Sequence, residues 1–505
     1  MTIKFEVGDC FPFKDHKDRI QRYQENMLLY KGKHYDLFRK YSINPNHNLY
    51  VSINLASLIA KKSADLLLGE VVQVSAGKRE NSPEQKAFDR LIESNHMNIV
   101  NYESALTNAI KGDAFYKIRY GQEYGGMLPP ELDEPRVIIE NINADHVFPE
   151  TSKWDKHRIE KYHICIPVYD EDSDKWMLMV ETHTAGVIYY HNYDLKVTRT
   201  DIFGTPEEWT LGHPISEMVQ VHTGVNLPLV VHIPNTATDS WEGMDDLSEH
   251  KSIFDEINNR LTQIASILDK HSDPALAVPS GLLAEDNEGR PMFRVARDKV
   301  FEVMGKDDII PQYITWNSQL SEAYNEIDRL VDLLLMSAEI PKVALGAGDS
   351  GTSGSSGLAI KFRMHSLLSK INRKRQYYSK GLKQVFYIAQ LLEKALGIAD
   401  YELTAPVLDF KDGLPKDDLQ EANIMAIRTG GVATLSQKSA LMYLDNLTEE
   451  QAEAEIERIR EEQKANAPAM ADPSIFNLDA EEELDPDIEQ NHEESQLESQ
   501  VVSNE

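Results

Sequence analysis

Apolar residues recur along this chain with two different periods, and the change from one to the other divides it. Residues 11–40 mix aromatic and charged positions at helical spacing. The run LYVSINLASLIAKKSADLLL (49–68) predicts a long apolar helix closed by Gly69, and 83–92 and 101–110 predict two more helices. From 114 to 231 the period shortens. AFYKIRY, RVIIENI, KYHICIPVY, KWMLMVETH, GVIYY and LPLVVHI are short β-type runs separated by turn residues. Helical spacing then returns: Phe254, Ile257, Leu261, Ile264 and Leu268 form one seam over 247–268, and Leu320, Tyr324, Ile327, Leu330 and Leu334 form another over 318–338. At ~1.5 Å per residue each helix is ~30–35 Å long. Between them Pro274, Pro279, Gly281, Gly289 and Pro291 punctuate a compact insert with the strand-like FRVARDKVFEVM. Two matched helices with a small β element between them read as a stalk carrying a knob.

Pro341 precedes a segment of different character, LGAGDSGTSGSSG (345–357). A long helix follows over 358–395, with Leu367, Ile371, Tyr378, Leu382, Phe386 and Ala389 on its apolar stripe. The strand-like YELTAPVLDF (401–410) leads to helices at 417–428, from Ser436, and at 448–463, the last opened by the capping box Thr448 and Gln451. The pattern predicts an α+β chain, mostly helical, without internal repeats.

Charge sharpens this picture. The 505 residues hold 52 Lys and Arg against 83 Asp and Glu, a net charge of −31. Twelve of the acids and no Lys or Arg fall in 472–505, which reads as a solvated, disordered tail. Residues 350–392 do the opposite: they contain no acid, while Lys361, Arg363, Lys370, Arg373, Lys374, Arg375, Lys380 and Lys383 are basic. Acidity of this size argues against a generic nucleic-acid coat, because simple DNA binders are basic. Two cysteines, Cys10 and Cys165, exclude a disulfide scaffold or a cysteine metal cluster and suit a reducing compartment. No apolar run approaches the ~18–20 residues of a membrane span, and no signal-type apolar segment is seen.

Candidate chemistry is sparse. Gly346, Gly348 and Gly351 satisfy the letters of a dinucleotide fingerprint, but they follow a helix rather than a strand, and no phosphate-loop lysine is present. Glycines here give a loop freedom and close backbone approach. Asp170, Asp172, Asp174 and Glu181 occupy positions 1, 3, 5 and 12 of a calcium loop, yet Lys175 stands where that loop needs glycine and strands flank it. An acidic hairpin turn is the better reading. His163, His183, His191, His222 and His232 show no metal-ligand spacing, and no nucleophile elbow is present. Neither an enzyme active site nor a cofactor or metal site is expected.

The order of these elements, with NLASLIAKKSADLLLGE (54–70), WEGMDDLSEHKSIFDEINNRLTQIASILDKHSDP (241–274), AEIPKVALG followed by SSGLAIKFRM (355–364), and TGGVATLSQKSALMYL with AEAEIERIREE (429–462), resembles the portal proteins of tailed bacteriophages of the siphophage type. The resemblance implies a wing over 1–246 with 358–410 packed on it, stem helices at 247–271 and 316–340, and a small α/β clip at 272–315. It further implies a tunnel loop at 341–357, a helical crown at 411–466 and an acidic tail at 467–505. As implied function, a dodecameric ring sits at one capsid vertex of the virion after assembly in the host cytoplasm. Double-stranded DNA passes through it during packaging and ejection. Implied partners are the large terminase subunit, a head-completion adaptor, and the major capsid and scaffold proteins, with no membrane. Gly346, Gly348, Asp349, Ser350, Gly351, Thr352, Ser353 and Gly354 would then line the DNA channel. Lys361, Arg363, Lys370, Arg373, Lys374 and Arg375 would guide DNA or contact a neighbouring subunit, and Arg294, Arg297 and Lys299 would face a partner at the clip. The rival readings are a non-catalytic acidic interaction or scaffold protein, and a nucleotide-binding enzyme using the GAGDSG loop.

Overall fold

The computed structural model describes residues 3–39, 49–77, 82–129, 131–200, 206–272, 320–346, 361–411, 418–430, 433–445, 447 and 449–466, together with four short strands within 276–313. The chain forms two units, Met1–Asp417 and Asp418–Glu505. The helices are α1 (Lys17–Tyr30), α2 (His34–Phe38), α3 (Leu55–Leu68), α4 (Pro83–Ser94), α5 (Met97–Lys111), α6 (Lys251–Ser272), α7 (Leu320–Ser337) and α8 (His365–Ala395) in the first unit. The second unit contains α9 (Asp418–Thr429), α10 (Gln437–Leu444) and α11 (Glu449–Asn466). Among the described residues no helix is long and apolar enough to cross a membrane.

The first unit holds two main sheets, both antiparallel. The larger contains β1 (Cys10–Phe11), β5 (Val147–Thr151), β6 (Ile159–Asp170), β7 (Lys175–His183), β8 (Val187–Thr200), β9 (Pro206–Pro214) and β10 (Val219–His222). Its order is β1-β9-β8-β7-β6-β5, with β10 also on β8. The smaller sheet runs β11-β3-β4, from Val230–Pro234, Asp113–Gly121 and Arg136–Ile142. Consecutive side chains on a strand point to opposite faces, and here each face feeds a different core. Phe115 and Val230 enter the aromatic core of the large sheet, with Phe11, Phe148 and Trp209. Tyr116, Ile118, Val231 and Ile233 enter the helical core, with α3, α5 and α8.

The apolar stripe of α8 behaves as its spacing predicts. Leu367, Ile371, Tyr378, Leu382, Phe386 and Ala389 are all buried; a fully buried Leu, Ile or Phe of this kind contributes ~1.5–3 kcal/mol. Four expectations need correction. The helix read over 49–68 starts only at Leu55, because the Asn54 side chain accepts the Ser57 N–H and caps it there. β1, β5, β9 and β10 were not legible as strands, being short or weakly alternating. YELTAPVLDF contributes only Val407–Asp409, paired with Gln73–Ser75. Leu268 and Tyr324, read as seam positions, are 48% and 49% exposed. Two short pairings, Leu276–Ala277 with Gln312–Tyr313 and Ala284–Glu285 with Pro291–Met292, are described within the insert. FRVARDKVFEVM, Thr448 and the acidic tail lie outside the described residues.

Gly381, mid-α8, shows which force wins in this core. A methyl group there would sit 2.4 Å from Ile233 Cδ1 and Cγ1, and Ile233 is fully buried. Helix propensity alone favours alanine by ~1 kcal/mol, whereas overpacking costs ~1–3 kcal/mol. Gly381→Ala is expected to lower the unfolding midpoint in a thermal melt; a rise would show that the sheet yields to the helix.

Candidate functional site at the root of the helical hairpin

Helices α6 and α7 form a hairpin, bridged by Arg260 Nε to Glu326 Oε1 at 3.0 Å. Its seam is anchored at the body. Phe254, Ile257 and Leu334 are buried in the helical core, Ile264 is 6% exposed, and Leu261 and Leu330 are half-buried beside them. Further bracing comes from the N-terminal region. Asn258 accepts the Ile53 N–H and donates to His34 Nδ1, while Thr262 Oγ1 accepts the Val51 N–H.

The chain reaches α6 through a tight backbone crossing. A Cβ on Gly243 would lie 1.9 Å from Gly112 O, and one on Gly112 would lie 2.4 Å from Gly243 O. Gly112 also has φ +89, which L-residues seldom adopt. Beside the crossing, the fully buried Asp113 accepts the Gly243 N–H at 2.8 Å, pairs with His232 Nε2 at 2.7 Å and accepts from the Tyr23 hydroxyl. Burial and the Asp113 carboxylate push the Tyr23 phenol well above its usual range, so it remains a donor. Trp241 covers the set, stacked by the Arg19 guanidinium 5.2 Å from its ring. Asp245 caps the turn, accepting from the Leu247 and Ser248 N–H groups at 2.9 and 2.6 Å.

Asp246 ties this root to α8. Its carboxylate is fully enclosed, with Lys374 Nζ at 2.5 Å and Lys370 Nζ at 3.4 Å, and Asn235 Nδ2 donating at 3.1 Å. Burial would raise the Asp246 carboxyl, but the two ammonium groups outweigh it and hold it well below its usual range. Burial pushes the Lys374 ammonium down to about 8, against the pull of Asp246, so the pair is ionised at neutral pH. Lys370 Nζ also donates to Ala338 O at 3.1 Å, and Arg373 pairs with Glu339 at 2.5 Å. One face of α8 therefore holds both feet of the hairpin, before α6 and after α7.

The basic helix thus departs from its sequence reading. Lys370 and Lys374 are buried and cannot reach DNA or a neighbouring subunit. Arg373 is engaged by Glu339, and Arg375 donates to Leu66 O at 3.1 Å and to Lys411 O. Lys361 and Arg363 are exposed. Of the loop residues, Gly346 is described, with φ +76 closing the turn Lys342–Leu345; Gly348, Asp349, Ser350, Gly351, Thr352, Ser353 and Gly354 lie outside the described residues, as do Arg294, Arg297 and Lys299. The calcium pattern comes apart in space: Asp170, Asp172 and Asp174 sit on the β6–β7 turn, while Glu181 lies along β7, bound by Lys117 at 2.6 Å and His183 at 2.9 Å. Among the described residues no group of three metal-ligating side chains converges. Asp113 and Asn235 escaped the sequence reading, and Asp246 was read only as part of the turn entering α6, without its lysine partners. The acid-free stretch of α8 was a signal for Asp246 alone, since it marks a helix whose partner acids lie elsewhere.

Removing the buried acid strands two cations. Asp246→Asn is expected to cost ~3–5 kcal/mol, with Asp246→Asn/Lys374→Met recovering part of the loss in urea unfolding. Because the folded carboxyl lies below its unfolded value of ~3.9, its contribution is present above that pH and fades as pH falls through it. The gap between wild type and Asp246→Asn should therefore narrow in acid. A constant gap would show that the carboxylate charge does no work.

Comparison with known proteins places this chain in a family by its sequence. No curated protein matches the sequence at a significant level. Among solved structures, a chain from the neck of an empty gene transfer agent (GTA) particle, computed with C6 symmetry, is 12% identical, with a TM-score of 0.44 over 78% of this chain and 90% of that one. A chain from the virion of a native GTA particle is 11% identical, with a TM-score of 0.43 over 84% and 93%. The sequence matches the family described as phage portal protein, SPP1 Gp6-like, across residues 11–469. That span takes in both units and the whole hairpin root, and the chain belongs to this portal protein family.

Proposed function

We propose that copies of this chain assemble into a closed ring at a capsid vertex and that double-stranded DNA passes through its channel. The family match over residues 11–469 carries the reading. In this assignment the first unit supplies the wing and the α6/α7 stem. The insert 272–315 is the clip that docks the large terminase subunit and later a head-completion adaptor, 341–357 is the tunnel loop, and 411–466 is the helical crown.

Electrostatics support passage rather than binding. Each cation fixed on a phosphate adds salt-dependent affinity and would slow a moving duplex. A chain of net charge −31 repels the duplex instead, and Lys370 and Lys374 of α8 are enclosed around Asp246, away from solvent. The loop segment 347–357 carries one acid, Asp349, and no base, so its contact with DNA would be through backbone and shape. The role requires no chemical step from this chain: DNA is moved by the motor docked on the clip, while the hairpin, held at both feet by α8, keeps the channel wall in place.

Mass photometry and negative-stain imaging of the purified full chain test the reading; a species of many subunits with a central hole is expected, and a monomer at micromolar concentration would refute it. Deletion of residues 348–354 should leave ring assembly intact and impair DNA packaging. Normal packaging by that deletion would remove the tunnel-loop assignment.

A further inference from the structure

One strand of the large sheet carries opposite charge at its two ends. β6 is 12 residues long, or ~40 Å. At its first end the β5–β6 turn exposes Lys153, Trp154, Asp155, Lys156, His157 and Arg158. The Trp154 indole is 96% exposed, whereas Trp209 and Trp241 are buried. The turn is nonetheless ordered: Ser152 N–H donates to Arg158 O at 2.8 Å, and Asp155 Oδ1 accepts the His157 N–H at 2.9 Å. Among the described residues, Lys153, Lys156 and Arg158 have no ion-pair partner.

At the far end lies the β6–β7 turn, with Asp170, Glu171, Asp172 and Asp174. Asp170 is occupied locally, accepting from the Asp172 N–H and the Ser173 hydroxyl, and Asp174 accepts from the Tyr169 hydroxyl. Glu171 and Asp172 face solvent without a cationic partner among the described residues. Tyr169 is 43% exposed and offers an aromatic face beside them.

An exposed indole flanked by free cations has the composition of an interface anchor, since Trp, Tyr and Arg dominate binding hot spots. Its complement is acidic with an aromatic face, and the other end of the same strand has that chemistry. Contact between unlike ends of identical copies is heterologous, the kind that closes into a ring when the rotation permits. A nucleic-acid site fits less well. The cationic surface stops at the turn, since Glu160 is exposed and Lys161 is paired with Glu150 at 3.2 Å, and strand binders track the backbone with a groove and several stacking aromatics.

We infer that Lys153, Trp154, Lys156 and Arg158 of one copy dock on Glu171, Asp172, Asp174 and the Tyr169 ring of the neighbouring copy. The inference rests on the ring reading above and adds the surfaces that join the subunits.

A charge swap in the full-length protein tests it. K153E/K156E/R158E and E171K/D172K/D174K are each expected to weaken ring assembly at least about tenfold in mass photometry, most strongly at low salt, where the charges are least screened, and their combination should restore it. Both sets lie on exposed turns, so the circular-dichroism melt of each variant reports whether the fold survives. Iodide quenching, read as the difference between wild type and W154F, should show the indole shielded in the ring. A monomeric wild type would refute the ring reading itself. A wild-type ring with either reversal assembling normally, a loss that the combination does not repair, or an indole equally quenchable in the ring would overturn the inference alone. Reversal at 153–158 that spares assembly but abolishes retention of a short DNA duplex would overturn it too, and assign the turn to nucleic acid.

Discussion

A carboxylate sealed inside a protein must be matched by cations, and the root of this hairpin is organised around that requirement. Asp246 lies just ahead of α6, and its partners, Lys374 and Lys370, come from a helix more than 120 residues later in the chain. Neither side is comfortable without the other: the acid would be driven to protonate, and the lysines to lose their protons or reach for water. Lys370 extends the arrangement to Ala338 at the end of α7. The direction in which the hairpin leaves the body is thereby coupled to the seating of α8. The Gly112–Gly243 crossing enforces the same geometry by steric means, because no side chain fits at either position.

Packing on both faces of the small sheet makes that seat rigid. β3 gives Phe115 to one core and Tyr116 to the other, so the strand cannot slip by a single residue without inverting both. Tyr378 on α8 joins the arrangement through its hydroxyl, within 3.0 Å of Ser104 Oγ and 3.2 Å of Asn108 Nδ2. The large sheet, the N-terminal helices and α8 are thus connected through buried contacts rather than through flexible linkers.

Charge in this chain is better understood by location than by total. The surplus of acid would repel a polyanion such as DNA, and the basic stretch, the obvious exception in the sequence, is divided: Lys370 and Lys374 are enclosed, whereas Lys361, Arg363 and Lys380 are exposed. Cations without an ion-pair partner among the described residues also appear at the Trp154 turn, where a short local cluster stands beside an exposed aromatic ring.

Much of the architecture was legible from residue patterns alone. The change from helical to strand periodicity located the β-rich middle segment, the Phe254-to-Ile264 and Leu330-to-Leu334 seams announced the hairpin, and the α8 stripe was correct at every position. These are local signals, carried by residues a few positions apart on one element. What stayed hidden depends on distance. The sequence marked residues 350–392 as basic but could not say that two of the lysines are enclosed around Asp246, because nothing in the spacing of either segment records the other. The strands β1, β5, β9 and β10 and the exposure of Leu268 and Tyr324 were decided by which neighbours the fold brought up to them, whereas the Asn54 cap is a local contact with Ser57 that the apolar pattern did not register. Periodicity determines which face of an element is apolar; only tertiary structure decides what that face meets, and whether a charge beside it is presented to solvent or enclosed.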